Sequence, residues 1–301
     1  PAVTPSEAKR VQRLVGEGYL RKAANVIRAE VGVATLTPEV MAKLRQLHPA
    51  GPVNPCDGVL EQHVQMLPRA AADDAMDEVV RHLCPQVSPG ITGWSAKMLR
   101  LSYNSSPPFK QFLVKLAQQI RVGTAPGNVL LLVSRLTPLQ PDPAGPKIRP
   151  VANGEMLFKA CAKFAHRSLA TGHELSPNQL GVGTPGGVEP IVHQVQRHFT
   201  AHGPGEVDPP PFTQVDILDL ENAFNLVDRR LLATAVHRFG PAFSRLYRWV
   251  YGQASPLVVN DNGSVTLIAS LQGVRQGCVL AALFFSMAMR ARLEQIRQLP
   301  N

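Results

Sequence analysis

The stretch FTQVDILDLENAFNLVDRR, residues 212–230, constrains the fold of this chain more than any other part of the sequence. Its first half predicts a β-strand that ends at Asp219, with Val215 and Ile217 on the same face as Asp219 and Asp216 on the opposite face. After Asp219 the apolar residues recur at helical spacing, and Asp228 is placed to cap a helix that follows it. The stretch therefore predicts a strand–turn–helix unit and a fold that mixes both kinds of element.

The position of Asp219 raises a question of chemistry. A carboxylate at the end of a core strand is destabilising unless another group compensates its charge. A divalent cation is one such partner, and nearby backbone N–H groups that the aspartate caps are another. The spacing of the residues leaves both interpretations open.

Two further stretches predict a β-hairpin. NVLLLVSRLTPL (128–139) and KIRPVA (147–152) are expected to be strands, and the turn-forming loop QPDPAGP joins them. Lys147 and Arg149 have the same parity, so we expect both to point to one face of the second strand. Two adjacent cations suit the phosphates of a ligand, although an exposed edge strand also carries protective charges.

Apolar residues at helical spacing predict the remaining elements. Helices are expected in two basic segments of residues 1–50, over 72–83, in SAKMLRL, over 154–170 and after residue 187. The clearest pattern lies in residues 109–120, where one apolar stripe is expected to face the core. That stripe consists of Phe109, Phe112, Leu113, Leu116 and Ile120.

The segment GVGTPGG, residues 181–187, contains the pattern G-x-G-x-x-G of dinucleotide-binding sites. Such a site needs a buried strand directly before the first glycine, and the preceding GHELSPNQL is polar and rich in turn formers. The following apolar residues do fit a helix. Half of the required context is missing, which argues against a nicotinamide-cofactor enzyme, and an NAD titration would test that alternative.

Composition narrows the class of protein. The chain has 301 residues, of which 45% are hydrophobic, which is enough for a sizeable core. Its net charge of +9 favours polyanionic partners, nucleic acid first, although a merely basic surface has the same charge. The longest apolar run, CVLAALFFSMAM, has 12 residues and is too short to span a bilayer.

Targeting and cysteine usage give further expectations. We expect an intracellular protein with reduced cysteines, taken from a longer chain because it begins with Pro1. A zinc site would need residues at one of the common ligand spacings, and the available set matches none of them. That set is Cys56, His63, His82 and Cys84.

LDLENAFNLVDR resembles the first catalytic palm motif of reverse transcriptases, particularly those of non-LTR retrotransposons. That motif is Asp, three residues, Ala, an aromatic residue, then Asp or Asn, and Asp219, Ala223, Phe224 and Asn225 match it. Four more segments resemble family motifs in the family's order, so that the resemblance covers about residues 88–290. They are SPGITGWSAKMLR, KIRPVANGEMLFK, NQLGVGTPGG and LQGVRQGCVLAALFFSMAM.

The resemblance implies an α/β (α+β) fold, with the fingers and an incomplete palm of a right-hand polymerase. It divides the chain into a helical basic N-terminal region (1–87), a fingers-like subdomain (88–204) and a partial palm (205–301). The glycines at 181–187 would then form a turn between fingers elements. The family's third palm motif, with two adjacent aspartates, has no counterpart after Asp219, and the thumb is missing. Residues 1–301 alone are therefore expected to be inactive.

The implied reaction is nucleotidyl transfer with two Mg²⁺ ions, and the implied partners are an RNA template, a DNA primer and deoxynucleoside triphosphates. Nuclear residence is a further implication of the family. The implied residue roles are catalysis and metal binding by Asp219, metal binding by the Leu220 carbonyl, triphosphate binding by Lys147 and Arg149, a sugar gate at Phe224, nucleotide and template contact by Gln276 and Gly277, and nucleic-acid contact by Arg275.

Two alternatives to this function stay open. The first is a catalytically dead nucleic-acid-binding protein derived from a polymerase. The second is an RNA-dependent RNA polymerase. Such enzymes share the arrangement of the palm but usually have a second aspartate near the ribose, where this chain has Phe224. The aromatic residue favours deoxynucleotides. Phe224 could also simply be a core residue, as most phenylalanines are.

Overall fold

The structure is a computed structural model, and it describes residues 5–16, 23, 32–140, 145–177, 179–184, 186–201, 219–261 and 263–296. Within these residues the chain is an α+β protein that combines helices with a small mixed sheet, which confirms the expected mixture of elements. The expected strand over 212–219, together with Asp216, lies outside the described residues except for Asp219 itself. So does the second basic helix near the N-terminus, apart from Ala23.

The described sheet has five strands, and β2 pairs with three of the others. The strands are β1 (Gly32–Val33), β2 (Ser134–Gln140), β3 (Arg149–Gly154), β4 (Ser255–Asp261) and β5 (Ser264–Ser270). Strand β2 pairs antiparallel with β1 and β3, and its first two residues pair parallel with Leu257 and Val258 in the middle of β4. Strand β4 pairs antiparallel with β5. The sheet thus consists of two hairpins, β2–β3 and β4–β5, joined by a short parallel contact, with β1 paired to the end of β2.

Helices occupy most of the remaining described chain. They are α1 (Pro5–Gly16), α2 (Pro38–Leu47), α3 (Arg69–Arg81), α4 (Ala96–Ser105), α5 (Pro107–Arg121), α6 (Asn128–Leu132), α7 (Met156–Leu169), α8 (Val188–Ala201), α9 (Ala223–Leu226), α10 (Arg229–Phe239), α11 (Ser244–Tyr251) and α12 (Ala281–Ile296). Asp228 caps α10 as expected, because its carboxylate accepts hydrogen bonds from the backbone N–H groups of Arg230 (2.6 Å) and Leu231 (3.0 Å).

Two apolar cores hold these elements together. The larger core is built from α3, α4, α5, α7, α10, α11 and α12, with fully buried residues such as Leu113, Phe164 and Phe284. The smaller core lies where α2 covers the sheet, between Leu44 and the inner side chains of the strands, such as Leu257. The sheet is therefore packed on one side by α2, and the larger core lies among the helices of the described chain.

Three expectations about local structure were wrong. Residues 128–132 form the short helix α6 rather than the start of a strand, and β2 begins only at Ser134. Strand β3 begins at Arg149, so Lys147 precedes the strand and does not share its face by parity. Phe112 is 51% exposed instead of buried, because the buried face of α5 is turned toward Val114, Ala117 and their neighbours.

No helix in the described part of the chain is long and apolar enough to cross a membrane.

Candidate functional site

One loop, residues 273–277, carries Gln276 and Gly277 against the β2–β3 hairpin. The backbone N–H of Ala152 in β3 donates a hydrogen bond to the carbonyl oxygen of Gln276 at 2.8 Å. Gly277 has a φ of +110°, and a Cβ atom placed there would lie 2.5 Å from the carbonyl oxygen of Ala152. A glycine is therefore required both by the backbone conformation and by this close approach. The contact places Gln276 and Gly277 three residues along the strand from Arg149.

The same loop is bonded at its other end to the turn that carries Phe224. The backbone N–H of Val274 donates to the carbonyl oxygen of Phe224 at 2.7 Å. Gly273 has a φ of +63°, and a Cβ atom there would collide with the same carbonyl oxygen and with Asn225. Loop 273–277 thus joins the Phe224 turn to strand β3, and it brings together three elements that carry expected site residues.

Phe224 lies in the short helix α9 and is partly buried. Its ring stacks on Phe285 of α12, with 4.9 Å between the ring centroids. Asn222, which precedes the helix, has a φ of +49°, and its side-chain oxygen accepts a hydrogen bond from the buried amide of Asn225 at 2.8 Å. The turn is fixed by these contacts, so the position of the Phe224 ring is set by the fold.

Asp219 and Leu220 come directly before this turn, and both are exposed. Asp219 makes no hydrogen bond or ion pair with any other residue that the structure describes, so its carboxylate is available to a ligand. Carboxylate and carbonyl oxygens are donors that Mg²⁺ accepts, so these two residues fit part of a magnesium site. No group of three or more His, Cys, Asp and Glu side chains among the described residues could hold a metal ion.

Lys147 and Arg149 are exposed at the start of β3. Neither forms an ion pair with another described residue, and Arg149 pairs through its backbone with Leu139 of β2. Two cations without a carboxylate partner can bind an anion at low cost, since no existing ion pair has to be broken. The expected phosphate contact of these two residues is compatible with their exposure and stays a prediction.

Arg275 does not have the environment expected of a nucleic-acid contact. It is 4% exposed, its guanidinium donates to the hydroxyl of Ser255, and it lies over the ring of Tyr251 at 5.0 Å. The side chain is directed into the protein, where it connects loop 273–277 with β4. The expectation of nucleic-acid contact by Arg275 is therefore corrected to a structural role.

Arg229, which the sequence did not single out, is the most fully buried charged residue of the region, at 1% exposure. Its guanidinium donates to the carbonyl oxygens of Gly273 (2.9 Å), Tyr251 (3.3 Å) and Gln253 (3.2 Å) and to the hydroxyl of Ser270 (3.0 Å). Burial lowers the pKa of Arg229 to about 10. The residue ties the first glycine of loop 273–277 to α11 and β5.

A single methyl group at Gly277 should disturb this arrangement. We expect Gly277→Ala to lower the free energy of unfolding by about 2–4 kcal/mol, because positive φ strain adds to the collision with Ala152. Gly263 is the matched control: its φ is +96°, but nothing lies within 4 Å of its Cβ position. Gly263→Ala should lose only about 1 kcal/mol. Equal losses in urea unfolding would show that the close approach at Gly277 contributes nothing.

The glycines at 181–187 lie in bends and turns and do not follow directly on a strand, in agreement with the argument against a dinucleotide-binding site. Gly183 and Gly186 have φ values of +76° and +63°, and α8 follows at Val188. The described residues before Gly181 include no strand after β3. Gln179 ties this turn to α12 through a hydrogen bond from its amide to the hydroxyl of Ser286 at 3.2 Å. The geometry is that of a connecting turn, not of a dinucleotide fingerprint.

The segment SPGITGW at 88–94 is held against the start of α7 by a buried pair. The Glu155 carboxylate accepts hydrogen bonds from the backbone N–H groups of Ile91 (2.6 Å) and Thr92 (3.1 Å). The Lys159 ammonium donates to the carbonyl oxygen of Ser88 at 2.9 Å, and burial lowers the pKa of this lysine, an effect that Glu155 partly opposes. The segment is therefore a fixed part of the fold that leads into α4.

Comparison with known proteins found one similar sequence to report. The chain is similar to the retrotransposable element SLACS 132 kDa protein of Trypanosoma brucei gambiense, with 28% identity over 236 residues. The similarity supports a retrotransposon-related protein. It covers 75% of this chain but only 18% of the length of the SLACS protein. No protein-family model matches the chain.

Proposed function

We propose that this chain is the polymerase segment of a retrotransposon reverse transcriptase, which adds deoxynucleotides to a primer on an RNA template. The observation that carries the proposal is loop 273–277, which is hydrogen-bonded both to the Phe224 turn and to β3, the strand of Arg149. The similarity to a retrotransposable element protein supports the same conclusion. The division into fingers-like residues 88–204 and partial palm 205–301 is part of this proposal.

In the proposed reaction the primer 3′-hydroxyl attacks the α-phosphate of the incoming nucleotide, and pyrophosphate leaves. Asp219 and the Leu220 carbonyl would hold Mg²⁺, which stabilises charge on the attacking and leaving oxygens. Lys147 and Arg149 would bind the triphosphate, whose negative charge matches their unpaired cations. Gly277 has no side chain, so the backbone at this point can approach the nucleotide closely.

The test is primer extension by the protein that the complete reading frame encodes. An RNA template, an annealed DNA primer, deoxynucleotides and Mg²⁺ should give extended products that depend on each component. Ribonucleotides alone should give none. A protein that binds the primer–template but never extends it would contradict the proposal.

Phe224 gives a finer test of the same site. A flat ring held by Phe285 cannot yield space to a 2′-hydroxyl, so Phe224→Ala should admit ribonucleotides and lower the preference for deoxynucleotides by about 10²-fold or more, a difference of about 3 kcal/mol. Phe285→Leu is a second variant: it keeps the Phe224 ring but removes the ring that holds it, so it should relax the selectivity less than Phe224→Ala does. Unchanged sugar selectivity in the Phe224 variant would show that Phe224 is not a sugar gate.

Nucleic-acid binding without catalysis is the second candidate function. The observation that favours it is that no group of three or more His, Cys, Asp and Glu side chains among the described residues could hold a metal ion. Catalysis by two metal ions needs more than one carboxylate ligand. Binding without extension in the primer-extension test would favour this candidate.

A further inference from the structure

The positive charge of the chain is concentrated in one part of the sequence. Residues 79–173 contain twelve lysines and arginines but only two acidic residues, Asp142 and Glu155. The rest of the chain has nineteen basic and twenty acidic residues, so it is close to neutral. The whole net charge of +9 therefore comes from this one part, which includes α4, α5 and the β2–β3 hairpin. A polyanion is the partner that such a distribution attracts.

Three aromatic rings form a continuous series on α4 and α5. Trp94, at the entry to α4, stacks on Phe109 with 5.6 Å between centroids and 13° between ring planes. Phe109 contacts Phe112 at 6.1 Å. Trp94 and Phe109 pack against the large core, whereas Phe112 is 51% exposed. The series is thus anchored in the core at one end and presents a free aromatic ring at the other.

Lysines without partners flank these rings. Lys115 lies one helical turn from Phe112, and Lys97 lies in the first turn of α4, three residues after Trp94 in the sequence. Both are exposed, and neither forms an ion pair with another residue that the structure describes. Other cations nearby have partners: Lys110 pairs with Asp77 at 2.7 Å, and Arg100 donates to backbone carbonyls at the end of α3. Helices α4 and α5 contain no acidic residue that could neutralise the two lysines.

We propose that the surface of Trp94, Phe109, Phe112, Lys97 and Lys115, the aromatic–lysine surface, binds single-stranded nucleic acid. A base would stack on the free face of Phe112, and the lysines would contact the neighbouring phosphates. Aromatic rings with interspersed cations are the arrangement that binds single strands without sequence preference, because every base has a face that can stack. The inference deepens the proposed function, in which the bound strand is the template.

Charge decides between a nucleic acid and a protein as the occupant. An apolar protein partner would use Phe112 but would gain nothing from two unpaired lysines on helices that contain no acidic residue. A single strand uses both the ring and the cations. A duplex has its bases stacked internally, so it offers the phosphates but no base face to Phe112.

The test is binding of a fluorescein-labelled 20-nucleotide single-stranded RNA to residues 1–301, followed by anisotropy in buffer with EDTA and without nucleotides. Phe112→Ala should raise the dissociation constant about tenfold, as the loss of one stacking ring does. Phe112→Trp should restore wild-type affinity. Leu267→Ala is the matched control, because it removes another exposed apolar side chain, 66% exposed on β5, and should change nothing. Thermal unfolding by circular dichroism checks that each variant is folded.

Two further readouts separate stacking from charge. The double variant Lys97→Gln/Lys115→Gln should lower the salt dependence, the slope of log affinity against log salt, by about 1.4, since each single-strand phosphate contact contributes about 0.7.

The chain has two tryptophans, and Trp249 is 7% exposed with its N–H bonded to the Ala125 carbonyl. Quenching of tryptophan fluorescence by the single strand should therefore report on Trp94.

The proposal is overturned if Phe112→Ala binds the RNA within twofold of wild type, or if a duplex of equal length quenches the fluorescence as strongly as the single strand. A protein occupant would produce the first of these results. The binding assay needs neither Mg²⁺ nor nucleotides, so it is independent of catalysis. Extension by the full-length protein with unaltered binding in Phe112→Ala would refute this surface alone, and surface-dependent binding without extension would refute the proposed function alone.

Discussion

Asp219→Asn should abolish primer extension by the full-length protein, with a loss of at least about 10³-fold in rate. The substitution keeps the size of the side chain but removes the negative charge that would hold Mg²⁺ against the triphosphate. Stabilisation of the transition state by a metal amounts to several kcal/mol, and each 1.36 kcal/mol corresponds to a factor of ten in rate. Asp219 is exposed and bonded to no other described residue, so its replacement should leave the fold intact.

Glu221→Gln is the control for Asp219→Asn. Glu221 is also an exposed carboxylate, two residues further along the same turn, and its replacement removes the same charge from nearly the same place. We expect Glu221→Gln to keep extension within about threefold of wild type. An exposed charge that does not itself bind the metal acts on the site only weakly, because solvent screens it. Both variants are compared in single-turnover extension. Equal losses in the two variants would mean that Asp219 acts only through its general charge.

Arg229→Met should lower the free energy of unfolding by about 3–5 kcal/mol. Methionine fills a similar volume without donors, so the carbonyl oxygens of Gly273, Tyr251 and Gln253 lose a buried hydrogen-bond partner together. A buried acceptor left without a donor costs about 1–3 kcal/mol, and several such losses in one place reach the upper range of single substitutions. The measurement is equilibrium unfolding in urea.

Arg230→Met is the matched control for Arg229→Met, since it makes the same chemical change one position along α10 at an exposed side chain. Its effect should stay within about 0.5 kcal/mol. Arg229→Lys should fall between the two variants, because one ammonium group cannot reach the spread of acceptors that a guanidinium fork reaches. A loss of less than 1 kcal/mol in Arg229→Met would show that these hydrogen bonds do not hold loop 273–277.

The sequence predicted the elements that depend on local interactions. The cap at Asp228 needs only the N–H groups of the two or three residues that follow it, so residue type and position were sufficient. Helix α5 follows from the apolar spacing of residues 109–120, and the β2–β3 hairpin follows from the turn formers between its strands. Gly277 was singled out only through the family resemblance, which implied close approach to a nucleotide and not the contact with Ala152 that the structure shows.

Elements that depend on competition between similar local preferences were harder to predict. NVLLL is a short apolar run that fits a buried strand and a buried helix equally well, and the structure makes it helical after Gly127, whose φ is +68°. The β4–β5 hairpin was not predicted. Its signal was present in the sequence, since Asn262-Gly263 between two alternating stretches is typical of a tight hairpin turn.

The internal arginines could not have been found by pattern. Arginine is normally a surface residue, so no pattern singled out Arg229, and Arg275 was expected to contact nucleic acid only because of the family resemblance. Their burial results from acceptors that lie 20 to 44 residues away in the sequence. Such contacts exist only once α10, α11 and the two hairpin strands have come together. Conversely, Phe112 belongs to the apolar stripe in the sequence but is exposed in the structure, because its neighbours on α5 face the core instead.

Photo-crosslinking of a deoxynucleotide to residues 1–301 would test the central claim most directly, namely that loop 273–277 assembles a nucleotide site. An azido-dATP probe with Mg²⁺ is irradiated, and the modified peptides are identified by mass spectrometry. The account predicts labelling on peptides that contain Arg149, Phe224 or Gln276, prevented by excess dATP and reduced in Gly277→Ala. Labelling confined to other parts of the chain, or labelling that dATP does not prevent, would contradict it.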